Sequence, residues 1–304
     1  TVSALSTPQR YTGLTGLFDR AELQGVNALR MVGTNLSFKL NRTSVSNGAV
    51  LDWKQGKALV SDAGNPLAAA GVSLGAADPT FEIGGSVGLS IADVVLGSAT
   101  ISVSRSSVTS VTVPGLTTAQ SGVLLSFAVT EGKLYIGSGA SLVEDATSES
   151  FGKVALPASN DSKAVGFSVS GGSLDLGIFT AREAAADGQT YQTLGTARKY
   201  TGLEGALGKA QLQGVDVVKL IGVNLVFRLN RVSTGTAVLD WTQSFQTTNP
   251  LADAQVDLRA TDPTFQIGGS AGFSIADVVF GNATVAVSRT LVSGVDDPDV
   301  TGSV

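Results

Sequence analysis

In the stretch GVNLVFRLNR (222–231), Leu225, Phe227 and Leu229 alternate with Val226, Arg228 and Asn230. A period of two places one set on each side of an extended strand. The same phrase stands at 33–42 as GTNLSFKLNR, where Leu36, Phe38 and Leu40 are unchanged and the intervening residues read Ser37, Lys39 and Asn41. Substitution concentrated on one side predicts that Leu/Phe/Leu is the buried face. ATISVSR and ATVAVSR behave alike, which puts Ile101, Val103, Val285 and Val287 inward and Ser102 and Ala286 outward. VVKLIGVNLVFRLN (217–230), ADVVFGNATVAVSR (276–289), VGFSVSGGSLDLGIF (165–179) and FAVTEGKLYIGSG (127–139) each read as a short apolar strand, a glycine-bearing corner and an alternating strand. Glycine at a corner supplies positive φ without steric cost. TAREAAADGQ (180–189) is the one predicted helical turn.

These phrases belong to a long repeat. YTGLTGLFDRAELQGV (11–26) returns as YTGLEGALGKAQLQGV (200–215), AVLDW (49–53) returns at 237–241, and NPLA (65–68) at 249–252. DPTFEIGGSVGLSIADVVLGSATISVSR (78–105) returns as DPTFQIGGSAGFSIADVVFGNATVAVSR (262–289). Residues from about 109 to 189 have no second copy, and the opening TVSALSTPQRYTGL resembles TYQTLGTARKYTGL (190–203). The chain divides into the tail of a preceding unit (1–10), one complete unit (11–199, with halves 11–108 and 109–199) and the truncated first half of the next (200–304). It reads as a window cut from a longer array.

Strand–corner–strand elements in a unit of about 185–190 residues predict an all-β fold, a parallel β-helix or β-solenoid whose coils stack on one another. Tandem β-sandwich modules are the alternative. Composition agrees with the class: 37 glycines, 43% hydrophobic residues and only 15% charged residues suit many strands and turns rather than long helices. A net charge of −5 offers no basic stripe for nucleic acid and no attraction to an anionic membrane surface. The longest apolar runs, such as GVLLSFAV (122–129), are too short for a membrane span.

With no cysteine and no histidine, disulfides, thiolate nucleophiles, the usual zinc sites and histidine acid–base chemistry are excluded. Asp52 with Arg42, and Asp240 with Arg231, recur in both copies and read as surface ion pairs rather than an oriented acid or base. Asp78, Asp93, Asp262 and Asp277 read as turn residues, since IGGSVG and IGGSAG lack the aspartate of calcium-binding glycine repeats. DDPD (296–299) is the densest acidic cluster and the one place for an incidental calcium ion; its counterpart is TVPG (112–115). Glycosylation tripeptides begin at Asn35, Asn41, Asn160 and Asn282, where a scaffold role bonding to corner backbone is favoured. Trp53 and Trp241 are read as packing residues rather than a sugar-stacking platform. No catalytic, cofactor-binding or metal-ligating residue is assigned, and no cofactor is expected.

GVNLVFRLN, VLDW, FQIGGSAGFSIADVVFGNATVAVSR and VGFSVSGGSLDLGIFTAR resemble the repeats of extremely long bacterial surface or secreted proteins. The resemblance covers nearly the whole chain and rests on packing patterns, so it brings no catalytic residue with it. It implies a non-enzymatic, extracellular or cell-surface structural array that forms a fibre, sheath or filament. Its partners are neighbouring repeats of the same protein. An adhesin stalk or carbohydrate-binding module, with surface glycans as partners, is the alternative.

Overall fold

The computed structural model describes residues 9–23, 26, 28–45, 48–54, 67–114, 116, 119–158, 161, 163–184, 191–193, 198–243 and 246–291. The strands among them are β1 (Tyr11–Glu22), β2 (Leu29–Thr43), β3 (Phe81–Ile91), β4 (Val95–Val111), β5 (Gln120–Ser138), β6 (Ser141–Leu142), β7 (Val154–Ala155), β8 (Val165–Ala184), β9 (Tyr191–Thr193), β10 (Lys199–Gln213), β11 (Val218–Val232), β12 (Phe265–Ile275) and β13 (Val279–Arg289). One sheet runs β1-β2-β3-β4-β5-β8-β10-β11-β12-β13, with β9 paired to the end of β8, and β6–β7 form a small separate ladder. Strands β1–β4 and β10–β13 are the two copies of the repeated half unit, and β5 and β8 are the unmatched segment between them.

Every ladder is antiparallel. The chain is all-β, but the parallel solenoid is overturned: among the described residues no coil stacks on another, and the sheet does not close. Nor does each unit divide into paired sandwich sheets, because one sheet carries both copies.

The residues read as corners lie inside long strands; three of the four make β-bulges, while Gly281 and Asn282 sit in the regular β12–β13 ladder. Asn35 (φ 51°), Glu131 (55°), Gly171 (65°) and Asn224 (52°) hold positive φ. The ladders slip register at Thr34/Ser37, Val129/Gly132 and Val223/Val226. A bulge inserts one residue and so exchanges the phase of the alternation. Val218 and Leu220 pair with Ile275 and Phe273, whereas Phe227 and Leu229 pair with Ile267 and Phe265, and all eight stay on one side of the sheet. Residues 180–184, the start of the expected helical turn, belong to β8, and 185–189 lie outside the described residues.

Which side forms the core is the second correction. The Leu/Phe face is open, and Leu36, Phe38, Leu40, Leu225, Phe227 and Leu229 are only half-buried. The packed side is the opposite one, carrying Asn41, Ser90, Ser98, Ser106, Ser126, Ser168, Asn230 and Ser274, all buried. Their small side chains let the described parts of three long loops, 48–54 with 67–80, 139–158, and 233–243 with 246–264, lie close on the sheet. A large cluster joins Val111, Leu124, Phe179 and Tyr200 of the sheet to Leu239, Trp241, Leu251 and Leu258 of the last loop. A smaller one joins Leu96 and Tyr135 to Leu142 and Val154 of the middle loop.

Candidate functional site

The loop contacts are built by glycine and asparagine together. Gly202 and Gly177 are cross-strand partners on β10 and β8, and the Trp241 indole lies on both. A Cβ on Gly202 would come within 2.5 Å of Trp241 Cε2, and one on Gly177 within 2.4 Å of Cζ3. Trp241 Nε1 donates to Asn230 Oδ1 at 3.2 Å, and Asn230 Nδ2 donates to the Leu239 carbonyl at 2.8 Å. The first copy repeats the node: Trp53 Nε1 donates to Asn41 Oδ1 at 3.0 Å, Asn41 Nδ2 donates to the Leu51 carbonyl at 2.8 Å, and Gly13 lies beneath the ring. Trp241 is fully buried, so no sugar can stack on it. Asn41, 1% exposed, performs the expected scaffold role and cannot carry a glycan. Asn160 lies outside the described residues.

The paired acids and cations do not meet. Arg42 and Arg231 follow Leu40 and Leu229 on the Leu/Phe side, while Asp52 and Asp240 sit in loops on the other side. Among the described residues neither pair forms an ion pair. The Asp52 carboxylate accepts the Lys54 N–H at 2.9 Å, and that of Asp240 accepts the Thr242 and Gln243 N–H groups. The other aspartates hold turns. Asp78 accepts the Gly75 N–H at 2.7 Å and a bond from Lys54 Nζ at 2.9 Å; the backbone bond first, and the ammonium second, hold its carboxyl below the usual range. Asp262 accepts the Arg259 N–H in the same way. Asp93 and Asp277 sit in the β3–β4 and β12–β13 hairpin turns, where φ is positive at both Ala92 and Asp93 and at both Ala276 and Asp277. Among the described residues no group of three or more acidic side chains gathers to hold a metal; residues 296–299 lie outside them.

One acid was not legible in the sequence. Asp175 on β8 faces Glu204 on β10 directly across the ladder, and burial pushes its carboxyl pKa up. Glu204 is engaged by Arg228 at 3.1 Å and by the Asp257 N–H. The first copy has Thr15 in place of Glu204, so this juxtaposition arises only where the second copy meets β8.

The features that remain are surfaces. The Leu/Phe face is apolar in rows that run from β12 to β2: one passes through Phe265, Leu229, Leu203, Leu176, Phe127, Val103, Ile83 and Phe38 in successive ladders. A trough of about 620 Å³ crosses it from Val87 and Leu89 on β3, over Gly132 and Gly172, to Leu207 and Phe227. The second surface is a pair of edges, since among the described residues β1 pairs only with β2 and β13 only with β12. Open edges present unpaired N–H and C=O groups and invite another strand.

Among the described residues no helix is long and apolar enough to cross a membrane. No protein-family model matches the chain, and neither a curated protein nor a solved structure matches it.

Proposed function

We propose that this chain is a non-enzymatic structural repeat protein of the bacterial cell surface or extracellular space, whose work is to extend a sheet laterally into an elongated array. The observation that carries the reading is the unbroken ladder from β5 through β8 into β10: the sheet crosses from one unit to the next without a break and, among the described residues, ends on open edges. Six strands, β1-β2-β3-β4-β5-β8, precede β10, the counterpart of β1. Because six is even, each unit returns the chain in the direction and facing from which the next can continue. At a strand spacing of about 4.8 Å, each unit adds about 29 Å across the sheet. The open Leu/Phe face supports the same reading, because its apolar side chains recur in both copies although it stands uncovered. Fibre, sheath or filament formation is the corresponding duty, with neighbouring repeats as partners.

Solution scattering on chains carrying one and two additional units tests this. The maximum dimension grows by a constant increment near that value per unit. Growth that levels off into a compact particle contradicts the array.

A further inference from the structure

In the first unit the Ser/Asn face of β2–β4 is covered by residues 142–154 of the middle loop. Leu96 is 2% exposed against Tyr135, Leu142 and Val154, and the Val154 N–H donates to Ser98 Oγ at 2.9 Å. Gly152 lies against Val32, 2% exposed, and against Gly88, whose added Cβ would stand 1.8 Å from the Gly152 carbonyl oxygen. The Arg20 guanidinium sits 3.9 Å from the Phe151 ring centroid, and Arg30 pairs with Glu144.

The covered positions Arg20, Arg30, Val32, Gly88, Leu96 and Ser98 have counterparts in the second copy, and there, among the described residues, the cover is missing. Phe280 replaces Leu96 and is 69% exposed; Ile221 replaces Val32 and is 41% exposed. Gly272 replaces Gly88, yet its added Cβ would meet nothing nearer than the Gly281 oxygen at 3.8 Å. Lys209 and Lys219 stand in place of Arg20 and Arg30. A hollow of about 590 Å³, lined by Lys219, Ile221, Gly272, Phe280 and Asn282 among others, occupies the place the cap fills in the first unit. Beside it runs β13, whose outer edge is unpaired among the described residues and whose counterpart β4 is paired to β5 from Val95 to Val111.

We propose that the hollow around Phe280 and the adjoining β13 edge form a docking site for a half unit of the 106–184 type. A β5-like strand pairs with β13, and a cap like 141–155 seats its turn over Gly272 and Phe280. The occupant is a further repeat of this protein. The first unit shows how such a segment meets these positions, and the preserved glycine leaves room for its backbone. The proposal rests on the array reading but is separable from it, because it concerns one local contact.

The absence of cysteine makes the test clean. Phe280→Cys and Leu96→Cys are introduced singly into the 304-residue chain, and into a chain in which residues 106–184 are repeated directly after Arg289. Thiol reactivity toward a soluble disulfide reagent is then measured. In the original chain the thiol at 280 reacts freely and that at 96 is protected. In the extended chain the thiol at 280 becomes protected by about tenfold or more, and adding Gly272→Ala there restores its reactivity. Unchanged reactivity at 280 in an extended chain whose thiol at 96 stays protected overturns the proposal. So does concentration-dependent protection at 280 in the unextended chain, because a second whole copy is then the occupant. Protection without a gain in molecular length preserves the docking site and defeats the array.

Discussion

Removing the asparagine beneath each tryptophan gives a direct comparison of the two copies. Asn230→Ala deletes the acceptor of the Trp241 indole N–H and the donor to the Leu239 carbonyl, and Asn230 and Trp241 are 2% and 0% exposed. No water reaches either group, and each buried group left unpaired costs about 1–3 kcal/mol, so the sum is about 3 kcal/mol. Asn41→Ala deletes the same two bonds, and each substitution also removes a longer one, to the Gly75 carbonyl at 3.3 Å or the Arg259 carbonyl at 3.5 Å, but Trp53 is only half-buried. Solvent then replaces part of the loss, and the cost falls to about 1–2 kcal/mol. Urea unfolding followed by tryptophan fluorescence reads both. With a slope near 2–3 kcal/mol/M, Asn230→Ala lowers the midpoint by about 1 M or more, and Asn41→Ala by about half of that. Equal shifts for the two variants, or a shift at Asn230 indistinguishable from zero, refute the reasoning that the last loop is sealed by its contact with β4, β5 and β8.

Other outcomes follow from the same geometry. Gly88→Ala destabilises by about 1–3 kcal/mol because its Cβ collides with the backbone oxygen of Gly152, whereas Gly272→Ala stays within about 0.5 kcal/mol; paired thermal melts read the difference. For Asp175, burial raises the folded pKa above the unfolded one. Folding therefore carries a penalty once pH rises through that interval, and none below the unfolded value. Asp175→Asn raises the melting temperature at neutral pH, and the gain vanishes under acid conditions where both chains are uncharged at this position. Asp78 behaves oppositely: its depressed folded pKa stabilises above the unfolded value and is lost as pH falls through the folded one. Asp78→Asn lowers stability at neutral pH by at most about 1 kcal/mol, given a partly exposed lysine partner, and flattens the acid limb of the melting curve.

The repeat, the all-β class and the alternation of Leu225, Phe227 and Leu229 were legible in the sequence, because packing constrains those residue types in both copies. Strand direction was not. The β3–β4 and β12–β13 hairpins turn on Ala92–Asp93 and Ala276–Asp277 at positive φ, where the usual signal is Asn-Gly or Asp-Gly. Positive φ at Gly171 serves a bulge as well as it serves a corner, and only the ladder partners decide between them. The visible clue was the slip of phase from Val218 and Leu220 to Leu225 and Phe227, which marks a strand that continues. The core face was misassigned because invariant apolar residues identify a face that matters, whether its cover is present or absent. The serines of the opposite face gave no hydrophobic signal, although their small size is what admits the loops. The surface around Phe280 was invisible until the two copies could be compared residue by residue in space.

The account depends most on antiparallel pairing across the unit boundary. Isotope-edited NMR on the carbon-labelled, fully protonated chain measures it through Hα–Hα contacts between β8, β10 and β11, since Cα atoms of non-hydrogen-bonded antiparallel partners approach to about 4.5 Å. The pairs tie Gly177 to Gly202 and Gly202 to Asn230, or their immediate neighbours Leu176–Leu203 and Leu203–Leu229, alternating along each ladder. Contacts that instead join like positions of successive segments running in one direction, with no such cross-strand pairs, contradict it.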